Sequence, residues 1–222
     1  MVPPLVLDID GTLSRADRSL DERVFPVIRN WEAPVVIATG KALPYPVGLC
    51  DFIGIPIRVI AENGGVVTVD DQIDYLGDRA GAQAVADEYV EAGYDLGWGE
   101  ADFVNRWRET EVAVSLDSPK EPLYEIAERH GLEVVDTGFA YHVKDTAMSK
   151  GKALTVAANH LDISPEAFVA LGDSENDVST FSVVGRSFAM ANADEKAKQA
   201  ADSVTEGSYG DGFLEAIDQI TG

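Results

Sequence analysis

A single cysteine, Cys50, stands in the 222 residues, so no disulfide can form within the chain and a reducing compartment is expected. No apolar run reaches the ~18 residues of a membrane span, and the N-terminus lacks a basic stretch followed by an apolar signal segment. A cytoplasmic location is the expectation. Basic residues are scarce as well: 17 Lys and Arg face 39 Asp and Glu, for a net charge of -22. Such a field repels phosphate backbones and anionic lipid, and no Lys/Arg-rich run overcomes it, which excludes nucleic acid and membrane surfaces as partners. Internal repeats, low-complexity tracts and long flexible linkers are also missing.

What remains is an ordinary globular composition, 45% hydrophobic with a mean hydropathy of -0.05, so the acidity belongs on the surface and does not signal disorder. Adaptation to high salt accounts for it, since screening over about 3 Å at 1 M mutes self-repulsion. The length suits one generous domain or a core carrying a smaller one.

Apolar runs at 3–7, 33–38 and 57–60, separated by helical patterns at 20–31 and near 48–53, read as parallel strand–helix–strand units. A hairpin with an acidic turn at Asp70-Asp71 follows. From about Arg79 the rhythm changes to helix (80–92), two strands (102–108 and 112–116), helix (119–130) and two strands (132–137 and 139–145). Parallel rhythm returns with a helix from Lys150, a strand at 167–171, a helix at 176–184, a strand at 187–190 and helices near 194–201 and 212–220. The expected fold is α/β: a Rossmann-like doubly wound parallel core, residues 1–78 and 147–222, with an inserted α+β cap, residues 79–146, built of an antiparallel sheet and two helices.

Three core runs end in an oxygen-bearing side chain: Asp8, Thr39 and Asp173. Beyond the carboxyl ends of parallel strands these groups converge. In Asp8-Ile9-Asp10-Gly11-Thr12-Leu13, strand periodicity sends Asp8 and Asp10 to the same side just before the chain turns at Gly11. Two such carboxylates repel, and a hard cation with oxygen ligands, Mg²⁺ above all, relieves the repulsion. Asp173 and Asp177 supply further oxygens; taken alone they also read as caps of the following helix, as Thr39 and Asn176 do for theirs.

The segments DIDGTL (8–13), VVIATG (35–40), SKGKAL (149–154) and LGDSEND (171–177), in this order and spacing, resemble the haloacid dehalogenase-like phosphatases over the whole length. AENGG with Asn63 and AMANA with Asn192 resemble the branch whose cap lies between the second and third motifs; within it the chain is most similar to the archaeal-type phosphoglycolate phosphatases. The resemblance implies that Asp8 attacks phosphorus and that Asp10 protonates the leaving oxygen and then activates water against the aspartyl phosphate. It implies Mg²⁺ on the Asp8 carboxylate, the Asp10 carbonyl, Asp173 and Asp177, with Lys150 as the fixed positive charge and Thr39 and Gly40 on the phosphoryl oxygens. Asn176 is a further candidate for the substrate site, and Lys41 stands where relatives often carry arginine.

In the cap, alternation places Phe103, Trp107, Val112, Val114, Leu116, Phe139, Tyr141 and Val143 against the two helices. It leaves Arg106, Arg108, His142 and Lys144 on the open face. There Arg108 would grip the carboxylate of a small phosphate ester such as 2-phosphoglycolate. Sugar-phosphate phosphatase, phosphomutase and a metal- or phosphate-binding regulator are the alternatives, as monomer or homodimer.

Overall fold

A computed structural model describes residues 2–222. Strands β1 (Leu5–Leu7), β2 (Val35–Ala38) and β3 (Arg58–Ala61) alternate with helices α1 (Val24–Arg29) and α2 (Pro44–Ile53). The hairpin β4 (Val66–Val69) and β5 (Gln72–Tyr75) follows. Helix α3 (Arg79–Glu91), β6 (Val112–Ser115), α4 (Lys120–Arg129), β7 (Leu132–Asp136) and β8 (Ala140–Asp145) form the inserted unit. The chain then returns through α5 (Lys150–His160), β9 (Val169–Gly172), α6 (Val178–Phe181), β10 (Arg186–Ala189), α7 (Glu195–Ala200), β11 (Ser203–Val204) and α8 (Tyr209–Thr221).

The large sheet has the order β11-β10-β9-β1-β2-β3-β4-β5, parallel through β3 and antiparallel in the hairpin. Its central strands are buried on both faces, which is why they read as unbroken apolar runs. Leu5, Leu7 and Ile37 pack on the face of α1, α2 and α8, while Val6, Val36 and Ala170 pack on that of α5. The alternation along each strand thus feeds two hydrophobic layers.

The smaller sheet, β6-β8-β7, is antiparallel. Helix α3 offers it Ala82, Val85, Ala86 and Tyr89, and α4 offers Leu123, Ile126 and Ala127, which pack with Val112, Val114, Tyr141 and Val143. Positions spaced three and four apart on one helix face explain this stripe.

The strand expected over 102–108 is not there. Gly97, Gly99 and Asp102 adopt positive φ, which turns the chain. The free edge of β6 is instead satisfied by side chains: the Asn105 amide receives Ala113 N–H at 2.7 Å and donates to Ala113 O at 2.9 Å, where Trp98 Nε1 also donates at 2.8 Å. Phe103 and Trp107 consequently stay out of the core, 60% and 41% exposed, stacked on each other. Leu116 and Phe139 are likewise half-exposed.

Two helices are shorter than their apolar patterns. Leu20 pairs with Ser14 in a small hairpin, which delays α1. The segment after β9 begins as a 3-10 turn at Glu175–Asp177 before α6. The short strand β11 at the sheet edge is not marked by any apolar run in the sequence.

Candidate active site

The chain runs from β1 to β2 and β3 in one direction and from β9 to β10 and β11 in the other, so the order reverses between β1 and β9. A crevice opens at such a switch point, outside the carboxyl ends of the strands. Leu7 lies beside Ile37 on one side and Leu171 on the other, and Asp8 N–H still donates to Leu171 O at 3.0 Å. Asp8, Thr39 and Asp173 therefore emerge side by side.

Beneath them lies Lys150, fully buried, its Nζ 2.6 Å from Asp8 Oδ1 and 2.7 Å from Asp177 Oδ1. The hydroxyl of Ser149 caps α5 by accepting Lys152 N–H at 3.2 Å, which fixes Lys150 in the first turn. Burial alone would lower the ammonium's pKa, but the two carboxylates outweigh it and hold it above the usual lysine value.

Asp8, Asp173 and Asp177 each place an oxygen within 4.8 Å of the others. Burial, opposed by Lys150 and reinforced by Asp177, pushes the Asp8 carboxyl up to about 7. Burial and the charges of Asp8 and Asp177 push Asp173 to about 9. Three carboxylates thus face one ammonium, and Asp173 Oδ1 is a buried oxygen with no hydrogen-bond partner. An all-oxygen donor set short of positive charge fits a hard divalent cation.

Gly11 makes room for this cluster. Its φ is +84°, and a β-carbon there would lie 1.9 Å from Asp173 Oδ2. The turn is braced by Gly11 N–H donating to Ser14 Oγ at 2.8 Å and by the Asn192 amide donating to Gly11 O at 2.9 Å.

Asp177 carries both readings of its position. Its Oδ2 accepts the backbone N–H groups of Asp173 and Ser174 at 3.0 and 3.2 Å in a reciprocal capping box with Ser174, while Oδ1 meets Lys150. Asp173 caps nothing and turns into the crevice. The Asn176 side chain hydrogen-bonds to neither acid; its amide donates to Asn63 Oδ1 at 3.1 Å and its oxygen accepts from Ser174 Oγ at 2.8 Å. Thr39, 1% exposed, accepts Lys41 N–H at 3.2 Å and leaves its own proton unspent. The Asp10 carboxylate stands apart from the three-acid cluster and pairs with Lys41 at 2.9 Å.

The inserted unit is tied to the core by a second polar cluster, for which the sequence gives little warning. Glu62, fully buried at the end of β3, accepts Glu109 N–H at 2.9 Å and both Thr110 N–H and its hydroxyl at 2.8 Å. Arg108 donates through Nε to Val104 O at 3.1 Å, through Nη1 to Gly40 O at 3.0 Å, and pairs with buried Glu111. His142 Nδ1 meets the same Glu111 oxygen at 2.8 Å, and the Asn63 amide donates to Glu111 at 3.1 Å. Burial would raise the Glu111 carboxyl, yet His142 and Arg108 win and hold it at about 2.

Of the four cap cations, Arg108 and His142 line the cavity over Asp8, about 300 Å³ in volume. Lys144 turns away to Glu133 at 2.5 Å and Met148 O at 2.8 Å, because the strand pairing sets Lys144 opposite Glu133. Arg106 lies outside the cavity lining. Lys41, Asn63 and Arg18 join the wall.

The pattern of the haloacid dehalogenase-like hydrolases matches residues 5–90 and 123–217. Proteins named phosphoglycolate phosphatase from Natronomonas pharaonis and Halobacterium salinarum are 59% and 58% identical to the chain, over 99% and 98% of it and 98% and 97% of their own lengths. That of Archaeoglobus fulgidus is 38% identical over 96% of the chain and 94% of its own. A solved structure from Thermoplasma acidophilum superposes with a TM-score of 0.87 at 25% identity, covering 100% of this chain and 99% of its own. One from Bacteroides thetaiotaomicron, called a haloacid dehalogenase-like hydrolase, gives 0.79 at 18%, covering 99% and 100%, a likeness of fold. Fold, motif order and relatives agree, and the chain belongs to the haloacid dehalogenase-like hydrolases.

Proposed function

We propose that this phosphoric monoester hydrolase converts 2-phosphoglycolate to glycolate and phosphate in the cytoplasm, with Mg²⁺ as its cofactor. The observation that carries the proposal is the meeting of Asp8, Asp173, Asp177 and Lys150 at the sheet's switch point, where one further cation is needed to balance the acids. The full-length relatives named phosphoglycolate phosphatase supply the substrate.

Asp8 attacks phosphorus, the ester P–O bond breaks, and Asp10 gives its proton to the leaving alkoxide. Asp10 then takes a proton from water, which attacks the aspartyl phosphate and frees both Asp8 and inorganic phosphate. Lys41, 2.9 Å from Asp10, holds that carboxyl over the site. Lys150 fixes the nucleophile, while Thr39 and the backbone at Gly40 donate to the transferring oxygens. Arg108 and Asn176 complete the substrate wall. Asp8, the Asp10 carbonyl, Asp173 and Asp177 would hold the Mg²⁺, whose charge offsets the repulsion between an anionic nucleophile and an anionic ester. Residues 79–146 act as a cap over a core of 1–78 and 147–222, as monomer or homodimer. Among the described residues no helix is long and apolar enough to cross a membrane.

Hydrolysis of phosphoglycolate, sugar phosphates and nucleotides with Mg²⁺ in molar KCl tests the reading, with Asp8→Asn as the inactive control. Phosphoglycolate should lead by kcat/KM; a sugar phosphate ahead of it, or turnover that survives Asp8→Asn, refutes the proposal.

A further inference from the structure

Three Arg and Lys side chains, Arg18, Lys41 and Arg108, line the cavity above Asp8 beside His142, and two of them are already matched. Lys41 lies 2.9 Å from Asp10, and Arg108 pairs with Glu111, which also takes His142. Arg18 differs: among the described residues it has no carboxylate within ion-pair distance, whereas Arg15 of the same hairpin pairs with Asp21 and Glu22.

The hairpin holds Arg18 in an unusual way. Ser14 and Leu20 close it, Arg15 N–H donates to Ser19 O at 2.8 Å and Arg18 N–H to Arg15 O at 2.9 Å. Asp17 secures the return by accepting Ser19 N–H at 2.9 Å and its hydroxyl at 2.6 Å. Arg18 itself has φ of +70°, the left-handed conformation that closes this tight turn. Its guanidinium carbon lies over the Phe139 ring at 5.0 Å, and Phe139 stacks on Trp98 at 5.6 Å. An arginine of the core therefore rests on an aromatic of the inserted unit, and both line the cavity. A ring engages the face of a guanidinium, and the five N–H donors lie in its plane, so the fork remains available to a planar anion.

We infer that Arg18 is a specificity-determining residue that binds the carboxylate at the non-phosphate end of the substrate. The inference rests on the proposed function and assigns the carboxylate to the hairpin closed by Ser14 and Leu20 instead of to Arg108, whose charge Glu111 already balances. With the phosphoryl group over Asp8, the carboxylate of a two-carbon ester must be met by a side chain lining the same cavity of about 300 Å³, as Arg18 does. Because Arg18 and Phe139 belong to different units, the carboxylate meets the full clamp only where the inserted unit and the core come together.

The test compares kcat/KM for phosphoglycolate and for ethyl phosphate, which has the same chain length and no carboxylate, in the wild type, Arg18→Ala and Arg18→Lys. The wild type should favour phosphoglycolate. Arg18→Ala should cut that preference about 10- to 100-fold, the range of a lost charge-assisted pair, mainly through KM, and Arg18→Lys should recover part of it. Arg18 is exposed, so the variants are expected to fold, and the ratio cancels any general damage. A wild type without preference for the carboxylate ester defeats both the substrate reading and this inference. A wild type that prefers phosphoglycolate, with Arg18→Ala keeping that preference within twofold, defeats the inference alone.

Discussion

The Lys150 ammonium donates to Asp8 at 2.6 Å from a position wholly out of solvent. A cation in the first turn of α5 opposes the helix dipole, so local helix energetics do not explain it; the carboxylates do. Desolvating an ammonium costs several kcal/mol, and only close, hydrogen-bonded anions return that cost. Lys150→Met leaves Asp8 and Asp177 uncompensated and should lower stability by about 3–5 kcal/mol, with turnover lost. Thermal scans should show Mg²⁺ recovering part of the melting temperature. An unchanged metal-free melting temperature would contradict this account.

The raised carboxyls make the metal-free protein sensitive to pH in a definite sense. Asp8 and Asp173 start from 3.8 in the unfolded chain and titrate at about 7 and about 9 in the fold. Between those values the folded state keeps protons that the unfolded chain has lost, so stability is greatest below 3.8 for these groups and falls as pH rises through about 7 and about 9. Urea unfolding in EDTA across this window should show the decline, Asp173→Asn should flatten it, and Mg²⁺ should reverse it. A wild-type slope equal to that of Asp173→Asn would argue against the cluster.

Glu111 behaves in the opposite way. Its carboxyl is held at about 2 against 4.5 unfolded, so its contribution is complete above 4.5 and is lost as pH falls through about 2. Glu111→Gln leaves Arg108 buried without its counter-charge and should cost about 3–5 kcal/mol at neutral pH. Relative to wild type the deficit should shrink in acid. A deficit that stays constant from pH 7 to pH 3 would show that the pair adds nothing electrostatic.

Much of this site can be read along the chain because strand ends in a parallel sheet collect at one edge: Asp8, Thr39 and Asp173 needed only the periodicity of their strands. Asp177 joins through a capping box, a local device, whereas Lys150 is identified only by the resemblance of residues 149–154 to the family's segment. The cluster around Glu111 could not be read, since its burial depends on Glu62 gripping residues 109–110 and on Ala113 pairing with His142 across the sheet. Residues 102–108 failed for a related reason. Phe103 and Trp107 share one strand phase, but the Asn105 amide between them occupies the edge of β6 where that strand would have paired. Arg18 is indistinguishable in sequence from any solvated arginine of a polar turn, because its partner Phe139 comes from more than a hundred residues away.

Net charge governs the last prediction. At -22 most surface carboxylates lack a partner, and their mutual repulsion acts over about 10 Å in 0.1 M salt but only about 3 Å at 1 M. Lowering KCl from molar to 0.1 M should therefore reduce the melting temperature and, with it, the active fraction. Glu91, Glu125 and Asp218 are exposed and distant in sequence from the catalytic segments. Changing them together to Gln, Gln and Asn should weaken the salt dependence without altering phosphoglycolate turnover in high salt, because repulsion is a sum over the whole surface. Scanning calorimetry of both proteins at several KCl concentrations measures the two slopes. If the wild type is as stable in 0.1 M as in molar KCl, surface repulsion is not what its acidity must overcome. If the slopes match, a specific ion site, and not diffuse charge, sets the salt requirement.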